Sequence, residues 1–337
     1  MALKDIIGQE KAVAILLGIL KRKRIASAYL FSGETGIGKK TTALNFAKAV
    51  NCLNTGSEAD TSPENLLPPA GQASGVASLD ACDMCESCRK IDSGSHPDVV
   101  LISPEERLIK TDEIRSVEEA LSFRPYEGRK KVVIVDDADT MNQQAANTFL
   151  KTLEEPPEDS LIILISSRTD RLLPTIRSRC SAIVFHPLSL DSCRRILQGK
   201  IGDDDMEQAV RLSLGRPGLA LTADIREERD WFVNLLKAML RSEKDSWASR
   251  EEVERWFDHA LLFMRDLAVL NITGRRSLLI NEDLAENLGR LGKSVGLQGI
   301  IDIHKELSFI RNMLFFNLNK SLTWNYTSAL LRKELVP

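Results

Sequence analysis

The stretch AYLFSGETGIGKKTT, residues 28–42, decides the fold of the first half of the chain. A short apolar run ends at a glycine and a helix begins at about Lys39, so the stretch predicts a strand, a glycine-rich loop and a helix. The loop nearly matches the phosphate-binding pattern G-x-x-x-x-G-K-[ST], with Gly33, Gly38 and Lys39 in register. Lys40 stands where that pattern has the hydroxyl that binds Mg²⁺, so the metal position is altered.

Further apolar runs downstream indicate buried strands that alternate with helical segments. The strands are expected in DVVLI (98–102), KVVIVDD (131–137), LIILISS (161–167) and AIVF (182–185), and the helices at about 111–122, 141–153 and 170–178. This alternation predicts a parallel sheet with helices on both faces. Residues 1–186 are therefore expected to form an α/β domain built around the phosphate loop.

The strand signals stop after His186, and the rest of the chain has a helical pattern. Residues 187–226 predict a small helical lid, and residues 227–337 predict an all-α domain of longer amphipathic helices. Two apolar stripes at helical spacing support the second assignment: Val253, Trp256, Ala260, Met264, Leu267; and Ile300, Ile303, Leu307, Ile310, Leu314. Such stripes indicate the core of a bundle much more often than a cofactor site.

Composition limits the classes of protein to which the chain can belong. Its 337 residues are too many for one ordinary core, and its net charge of −3 confines any nucleic-acid contact to a local patch. The beginning, MALKDIIGQEK, is charged too early for a signal peptide, and no apolar run approaches membrane-spanning length. We therefore expect a cytoplasmic protein without a membrane partner, whose six cysteines are reduced.

The cysteines give the sharpest chemical signal. The segment CDMCESC places Cys82, Cys85 and Cys88 at C-x₂-C-x₂-C spacing, and Cys52 stands just before the low-complexity stretch 53–81. Four thiolates at such spacing can close a tetrahedral structural Zn²⁺ site. We expect this zinc module at about residues 52–90, with an iron–sulfur cluster or free thiols as alternatives. Cys180 and Cys193 are interpreted as separate reduced thiols.

A second acidic motif, KVVIVDDADTMNQ, ends the strand that begins at Lys131. In a phosphate-loop ATPase, a carboxylate at this place holds Mg²⁺, and Asp136 is the candidate. Asp137 stands where a glutamate base is usual, and its shorter side chain sets the carboxylate about 1.5 Å back from its target. The alternative is that both aspartates cap the strand end and the helix that follows.

Several of these motifs occur together and in order. SHPDVVLISPE (95–105), RPYEGRKKVVIVDDADTMNQQAANTFLKTLEEPP (124–157), LLPTIRSRC (172–180) and the four cysteines resemble the AAA+ subunits of the bacterial DNA polymerase III clamp loader. The resemblance covers about two thirds of the chain, and NLNKSL (317–322) weakly resembles the collar domain of that family. It implies an AAA+ domain with a zinc module, a helical lid and a helical collar that mediates oligomerisation.

Three departures from the family's motor subunits bear on activity. Motor members keep G-K-[ST], an Asp-Glu pair and an arginine in a lid element, where this chain has Lys40, Asp136–Asp137 and Gly218. Thr41 cannot replace the hydroxyl, since one residue along a helix turns a side chain by about 100°. The pattern resembles the delta-prime class, which keeps the fold without being a motor and has no catalytic activity alone.

ATP and Mg²⁺ binding are therefore expected to be weak or absent. Any residual nucleotide site would involve Gly33, Gly36, Gly38, Lys39, Thr41 and Asp136.

The resemblance assigns one active residue to this chain. Arg179, in the sequence Ser178–Arg179–Cys180, corresponds to an arginine finger that enters the ATP site of the neighbouring subunit. The alternative is a surface arginine in a salt bridge. Implied partners are the motor and delta subunits of a hetero-pentamer, the sliding clamp, and primer–template DNA contacted through the assembly, within the DNA polymerase III holoenzyme.

Three other functions remain alternatives. A gamma/tau-like motor subunit would hydrolyse ATP in isolation. A stand-alone zinc-dependent DNA-binding protein would bind DNA without partners and with a steep salt dependence. A small-molecule kinase would use the phosphate loop, but it leaves the cysteines and the helical last third unexplained.

Overall fold

The computed structural model describes residues 1–55, 79–104, 108–222, 225–241, 246–316 and 318–335. It divides the chain into two compact units. Unit 1 comprises Met1–Ile196 and Leu214–Leu219, and unit 2 comprises Leu197–Ser213 and Ala220–Pro337. The three-domain division with boundaries at 186 and 226 stays a prediction.

Unit 1 contains a five-stranded sheet and the helices that cover it. The strands are β1 (Ala28–Ser32), β2 (Val99–Ile102), β3 (Lys131–Val135), β4 (Ser160–Ser166) and β5 (Ser181–Val184). The helices are α1 (Glu10–Arg22), α2 (Lys39–Asn51), α3 (Glu86–Asp92), α4 (Thr111–Ser122), α5 (Gln143–Glu154), α6 (Pro174–Arg177) and α7 (Leu190–Leu197), whose last residue belongs to unit 2. Short 3₁₀ turns lie at Leu3–Asp5, Ala138–Thr140 and Thr169–Arg171.

All strand pairs in the sheet are parallel, and the spatial order is β2-β3-β4-β1-β5. Successive residues of β1 point to opposite faces. Ala28 and Leu30 join the core that α4 and α5 cover, whereas the ring of Tyr29 packs against that of Phe46 on α2, with centroids 5.7 Å apart. The predicted α/β fold, with a parallel sheet covered on both faces, is therefore confirmed.

The helix expected over 170–178 is broken into two pieces. A 3₁₀ turn, Thr169–Arg171, precedes α6, and Pro174 is the first residue of that helix. Proline suits this position because its nitrogen has no hydrogen to donate and its φ is already near the helical value. The break places the SRC segment directly after one short helical turn.

The regular secondary structure described in unit 2 is entirely helical. Its helices are α8 (Asp203–Leu212), α9 (Pro217–Thr222, whose first three residues belong to unit 1), α10 (Ile225–Arg241), α11 (Arg250–Thr273), α12 (Ala285–Met313) and α13 (Lys320–Leu335), with 3₁₀ turns at Arg276–Leu278, Glu282–Leu284 and Leu314–Phe316. Every residue of the two predicted stripes is buried in its core. Trp247 and Trp324 pack edge to face there, with centroids 4.7 Å apart. The predicted helical character of the last third is confirmed.

No helix in the described ranges has both the length and the apolar character needed to cross a membrane.

Candidate functional site

The glycine-rich loop joins β1 to α2, as the sequence predicts, and two of its glycines are required by its geometry. Gly33 has φ 147°, and a Cβ there would lie 2.5 Å from the carbonyl oxygen of Phe185. Gly36 has φ 83°, in the left-handed region that side chains disfavour. The loop therefore has the compact course of a phosphate-binding loop, ending at Gly38, the N-cap of α2.

The lysine of the loop is engaged by the loop itself. Lys39 Nζ donates hydrogen bonds to the carbonyl oxygens of Gly33 and Glu34, both at 2.6 Å, and the residue is only 6% exposed. Burial lowers the pKa of Lys39, while the nearby carboxylates, Asp137 first among them, act in the opposite direction. The group that would meet a phosphate thus already has oxygen partners.

The neighbouring lysine takes a different direction. Lys40 Nζ lies 3.1 Å from Asp136 Oδ2 and 3.4 Å from Ser103 Oγ. Thr41 points to solvent, and the Thr42 hydroxyl is buried and donates to the Gly38 carbonyl at 2.9 Å. An ammonium group therefore contacts the carboxylate expected to bind Mg²⁺.

The two aspartates after β3 have different surroundings. Asp136 Oδ1 accepts a hydrogen bond from the Asp137 N–H at 3.2 Å. Asp137 adopts φ 46°, and its carbonyl accepts both the N–H and the hydroxyl of Thr140 at 2.8 Å. Burial, together with Asp136 and Asp139, raises the pKa of Asp137. The Asp137 side chain makes no helix-capping hydrogen bond, so only the backbone part of the capping interpretation holds for this residue.

The segment GRPGLAL approaches the phosphate loop within unit 1. The Gly218 N–H donates to the Gly36 carbonyl oxygen at 2.9 Å, and Arg216 Nη1 lies 3.5 Å from Glu34 Oε2. A Cβ at position 218 would stand 2.9 Å from both the Cα and the oxygen of Gly36. Such a distance is too short for any side chain, so the position has room for glycine only.

Arg179 lies at the surface, just after α6. Its Nη2 is 2.7 Å from Glu154 Oε1 at the end of α5, and its Nη1 donates to the Thr175 carbonyl at 3.0 Å. The side chain is 35% exposed. Cys180 beside it is a half-buried free thiol, and burial raises its pKa to about 11. The structure thus places the arginine outside the core, in a salt bridge of its own chain.

The four cysteines of the predicted module come together. Their sulfur atoms all lie within 4.8 Å of one another, and Cys52 Sγ is 3.9 Å from Cys85 Sγ. Four sulfurs held tetrahedrally at 2.3 Å from one ion would be about 3.8 Å apart. Backbone N–H groups of Cys82, Cys85 and Cys88 donate to sulfurs of the set, at 3.3–3.5 Å. The geometry fits a single Zn²⁺-sized ion.

The electrostatics of the thiols differ within this set. Burial raises the pKa values of Cys52 and Cys88, whereas at Cys82 the hydrogen bonds from the N–H groups of Met84 and Cys85 outweigh burial and lower the pKa to about 6. All six cysteines of the chain are free thiols in the structure. Of the intervening stretch 53–81, residues 56–78 lie outside the described part of the chain.

A polar network beside the cysteines was not found from the sequence. Lys48 is fully buried; its Nζ contacts Asp83 and lies 2.8 Å from Asp92 Oδ2. Although burial opposes its charge, these hydrogen bonds raise the pKa of Lys48. The Asp80 carboxylate accepts the N–H groups of Leu3 and Lys4 at 3.0 and 2.9 Å. The first residues of the chain are therefore fastened to the cysteine module, and no motif in the sequence indicates these contacts.

Comparison with known proteins identifies the family of the chain. Residues 8–66 and 71–189 match the family described as DNA polymerase III, delta subunit. The chain belongs to this family.

Two relatives in the family are named DNA polymerase III subunit delta'. The one from Bacillus subtilis is 29% identical over an alignment of 302 residues that covers 83% of this chain and 83% of the relative. The one from Pseudomonas aeruginosa is 32% identical over 246 residues, covering 68% of this chain and 67% of the relative. The resemblance to a delta-prime-like subunit, inferred from the motifs, is confirmed.

A third relative has a different name and a different extent. The DNA polymerase III subunit tau/gamma of Haemophilus influenzae is 34% identical over 187 residues, 56% of this chain but 24% of that protein. Among solved structures, a gamma subunit-related protein of Thermotoga maritima aligns over 95% of this chain and 98% of its own, with 22% identity and a TM-score of 0.43.

Proposed function

We propose that this chain is a non-motor, delta-prime-type AAA+ subunit of a DNA polymerase III clamp loader. The observation that carries the proposal is the backbone contact between Gly218 and Gly36. By the resemblance to the family's motor subunits, position 218 corresponds to an arginine in a lid element. Here the position has no room for a side chain, and the helix start lies directly on the phosphate loop.

The active contribution of the chain would then be made to a neighbour. Arg179 is exposed, and its guanidinium is planar, always charged and able to donate several hydrogen bonds to a γ-phosphate. Its salt bridge to Glu154 is partly solvated, and such bridges contribute at most about 1 kcal/mol, so the arginine can change partners at little cost. We assign it the role of an arginine finger acting in trans.

The cysteine module would hold one structural Zn²⁺ through Cys52, Cys82, Cys85 and Cys88. All four ligand positions would be sulfur, which leaves no open coordination site for chemistry. When bound, the metal would cross-link the segment after α2 to the start of α3. Its function would thus be to stabilise the module.

The remaining partners follow from the same assignment. Unit 2 would contribute helices to a collar shared with the motor and delta subunits of a hetero-pentamer. The assembly would open a sliding clamp on primer–template DNA, and this chain would contact DNA only as part of it. A motor role like that of tau/gamma proteins is the competing assignment, since a tau/gamma relative is 34% identical to this chain over 187 residues.

The hydrolysis of ATP by the purified chain tests the proposal. We expect no steady turnover, because Lys40 replaces the metal-binding hydroxyl and Gly218 replaces the lid arginine. The reconstituted assembly should hydrolyse ATP in response to clamp and primed DNA, and omission of this chain should reduce that rate. Turnover by the pure chain that Lys39→Ala abolishes would assign it to the motor class instead.

A further inference from the structure

The two groups that normally hold the metal of a phosphate-loop enzyme are a loop hydroxyl and a carboxylate after the neighbouring strand. In this chain the carboxylate is present as Asp136, and its side chain is 18% exposed. The hydroxyl position is occupied by Lys40, whose Nζ is 3.1 Å from Asp136 Oδ2. The same ammonium group lies 3.4 Å from Ser103 Oγ, at the end of β2.

The ammonium group of Lys40 thus contacts the carboxylate that a divalent cation would use. A lysine ammonium is a compact, strongly hydrated point charge with three donors. It can satisfy a carboxylate and a hydroxyl at once, but it cannot be displaced by diffusion because it is covalently attached. A cation arriving at Asp136 would meet the positive charge at a distance of a few ångströms.

The positive charge of Lys40 compensates part of the negative charge of the neighbouring carboxylates. Asp136, Asp137 and Asp139 follow one another closely after β3. Without a cation, such a group of acids would repel one another. Lys40 supplies a positive charge that is covalently attached to the loop. An ATPase instead obtains its positive charge from Mg²⁺, which binds together with a nucleotide.

We propose that Lys40 is a tethered substitute for the divalent cation, which excludes metal from Asp136 and makes this loop independent of Mg²⁺. The inference deepens the proposed function and rests on it, because it interprets the loop as the altered phosphate loop of a clamp-loader subunit. It identifies Lys40 as the residue that determines which ion the site accepts. Replacement of Lys40 by threonine would restore the hydroxyl and remove the competing charge together.

Binding of Mn²⁺ to the full-length chain tests this inference, because Mn²⁺ prefers oxygen ligands and its free fraction can be measured by electron paramagnetic resonance. The wild-type protein should have no Mn²⁺ site that depends on Asp136. Lys40→Thr should raise the affinity about tenfold or more, the scale of one charge–charge interaction near a protein surface. The double variant Lys40→Thr/Asp136→Asn should lose that gain.

Two control variants separate charge from general disturbance. Lys40→Arg keeps the positive charge and should bind no more Mn²⁺ than the wild type. Lys151→Thr changes an exposed lysine on α5 and should also leave Mn²⁺ binding unchanged. Circular dichroism would verify that each variant is folded.

Three results would overturn the inference. They are Asp136-dependent Mn²⁺ binding by the wild-type protein, a folded Lys40→Thr variant without gain, and a Lys40→Arg variant with the same gain as Lys40→Thr. The measurement requires neither nucleotide nor partner subunits. A clamp loader that functions without this chain would therefore contradict the proposed function and leave the Mn²⁺ result unaffected.

Discussion

Lys39 and Lys40 are neighbours in the chain, yet their side chains serve different partners. Lys39 is buried against the carbonyl oxygens of its own loop, and Lys40 is half exposed and reaches Asp136. One step along a helix turns a side chain by about 100°, which separates the two ammonium groups. At the scale of single residues, the ammonium groups of both lysines therefore have oxygen partners within the protein.

Arg179 provides the prediction that belongs to this scale. Arg179→Ala should change the free energy of unfolding by less than about 0.5 kcal/mol, as is usual for an exposed side chain. It should lower the clamp- and DNA-stimulated ATPase of the reconstituted assembly, because one site loses a charge that stabilises its transition state. The loss should be partial, since the other sites keep their own arginines.

Two variants control this experiment. Arg177→Ala removes another exposed arginine two residues earlier and should leave the ATPase at the wild-type rate. Arg179→Lys should rescue little, because a point charge lacks the planar fork of donors. If Arg179→Ala assembles normally and is as active as Arg177→Ala, the salt bridge to Glu154 is the whole role of Arg179.

At the scale of elements, the cysteine module joins the end of α2 to the start of α3. Cys52 follows α2, Cys85 is the N-cap of α3, and Cys88 lies within it. The sheet contributes none of the four sulfurs. Loss of the module should therefore disturb its own segment and the chain start fastened to it, while β1 to β5 remain.

Cys85→Ser tests this separation. The wild-type protein should contain one zinc ion per chain by metal analysis, and the variant should contain none, because three thiolates bind far more weakly than four. Hydrogen exchange should increase in residues 79–93 and in residues 1–5, which Asp80 holds. Exchange in β3 and β4 should not change.

Cys180→Ser is the matched control, since Cys180 lies outside the cluster and should not affect the zinc content. A wild-type protein without zinc, or one containing iron with a visible absorption band, would contradict the assignment.

The sequence predicted the elements better than the contacts between them. The strands were predictable because each is a short apolar run. Burial was predicted for all of them, but only the central strands are buried: β4 is buried along its whole length, whereas the edge strands β2 and β5 are mostly half-buried or exposed. The helix at 170–178 was predicted as continuous because periodicity does not register the break that Pro174 introduces. The local sequence pattern thus predicts most of the elements. The exception is the segment 170–178, where Pro174 starts a new helix instead of continuing one.

The contacts that define the site join residues far apart in the chain. Gly218 meets Gly36 across about 180 residues of sequence, and Lys48 meets Asp83 across a stretch without regular pattern. No periodicity or motif spacing encodes such pairs in a single sequence. The cysteine cluster was predictable because a Zn²⁺ site requires four thiols to converge. The requirement for glycine at position 218 comes instead from the close approach of Gly36, which is visible only in the folded chain.

At the scale of the whole molecule, unit 2 has large apolar side chains exposed on two of its helices. Phe309 on α12 is 60% exposed, and Leu322 on α13 is 70% exposed. Tyr326, one turn after Leu322, donates a hydrogen bond from its hydroxyl to Glu306 at 3.1 Å, and Glu306 is one turn before Phe309. These residues therefore occupy one face formed by α12 and α13, and the proposed collar would bury it.

Leu322→Ser tests whether this face joins the chain to its neighbours. Because Leu322 is exposed, the substitution should change the melting temperature little. Burial of a leucine at an interface contributes about 1.5–3 kcal/mol, so the variant should bind the other subunits about tenfold more weakly or worse. Phe309→Ser should behave in the same way, and the affinities can be measured by analytical ultracentrifugation of the mixed subunits.

Ile272→Ser removes an equally exposed side chain, 66% accessible, from the end of α11 and should assemble as the wild type does. If Leu322→Ser and Ile272→Ser assemble equally well, the apolar face of α12 and α13 is not the surface that holds the ring together.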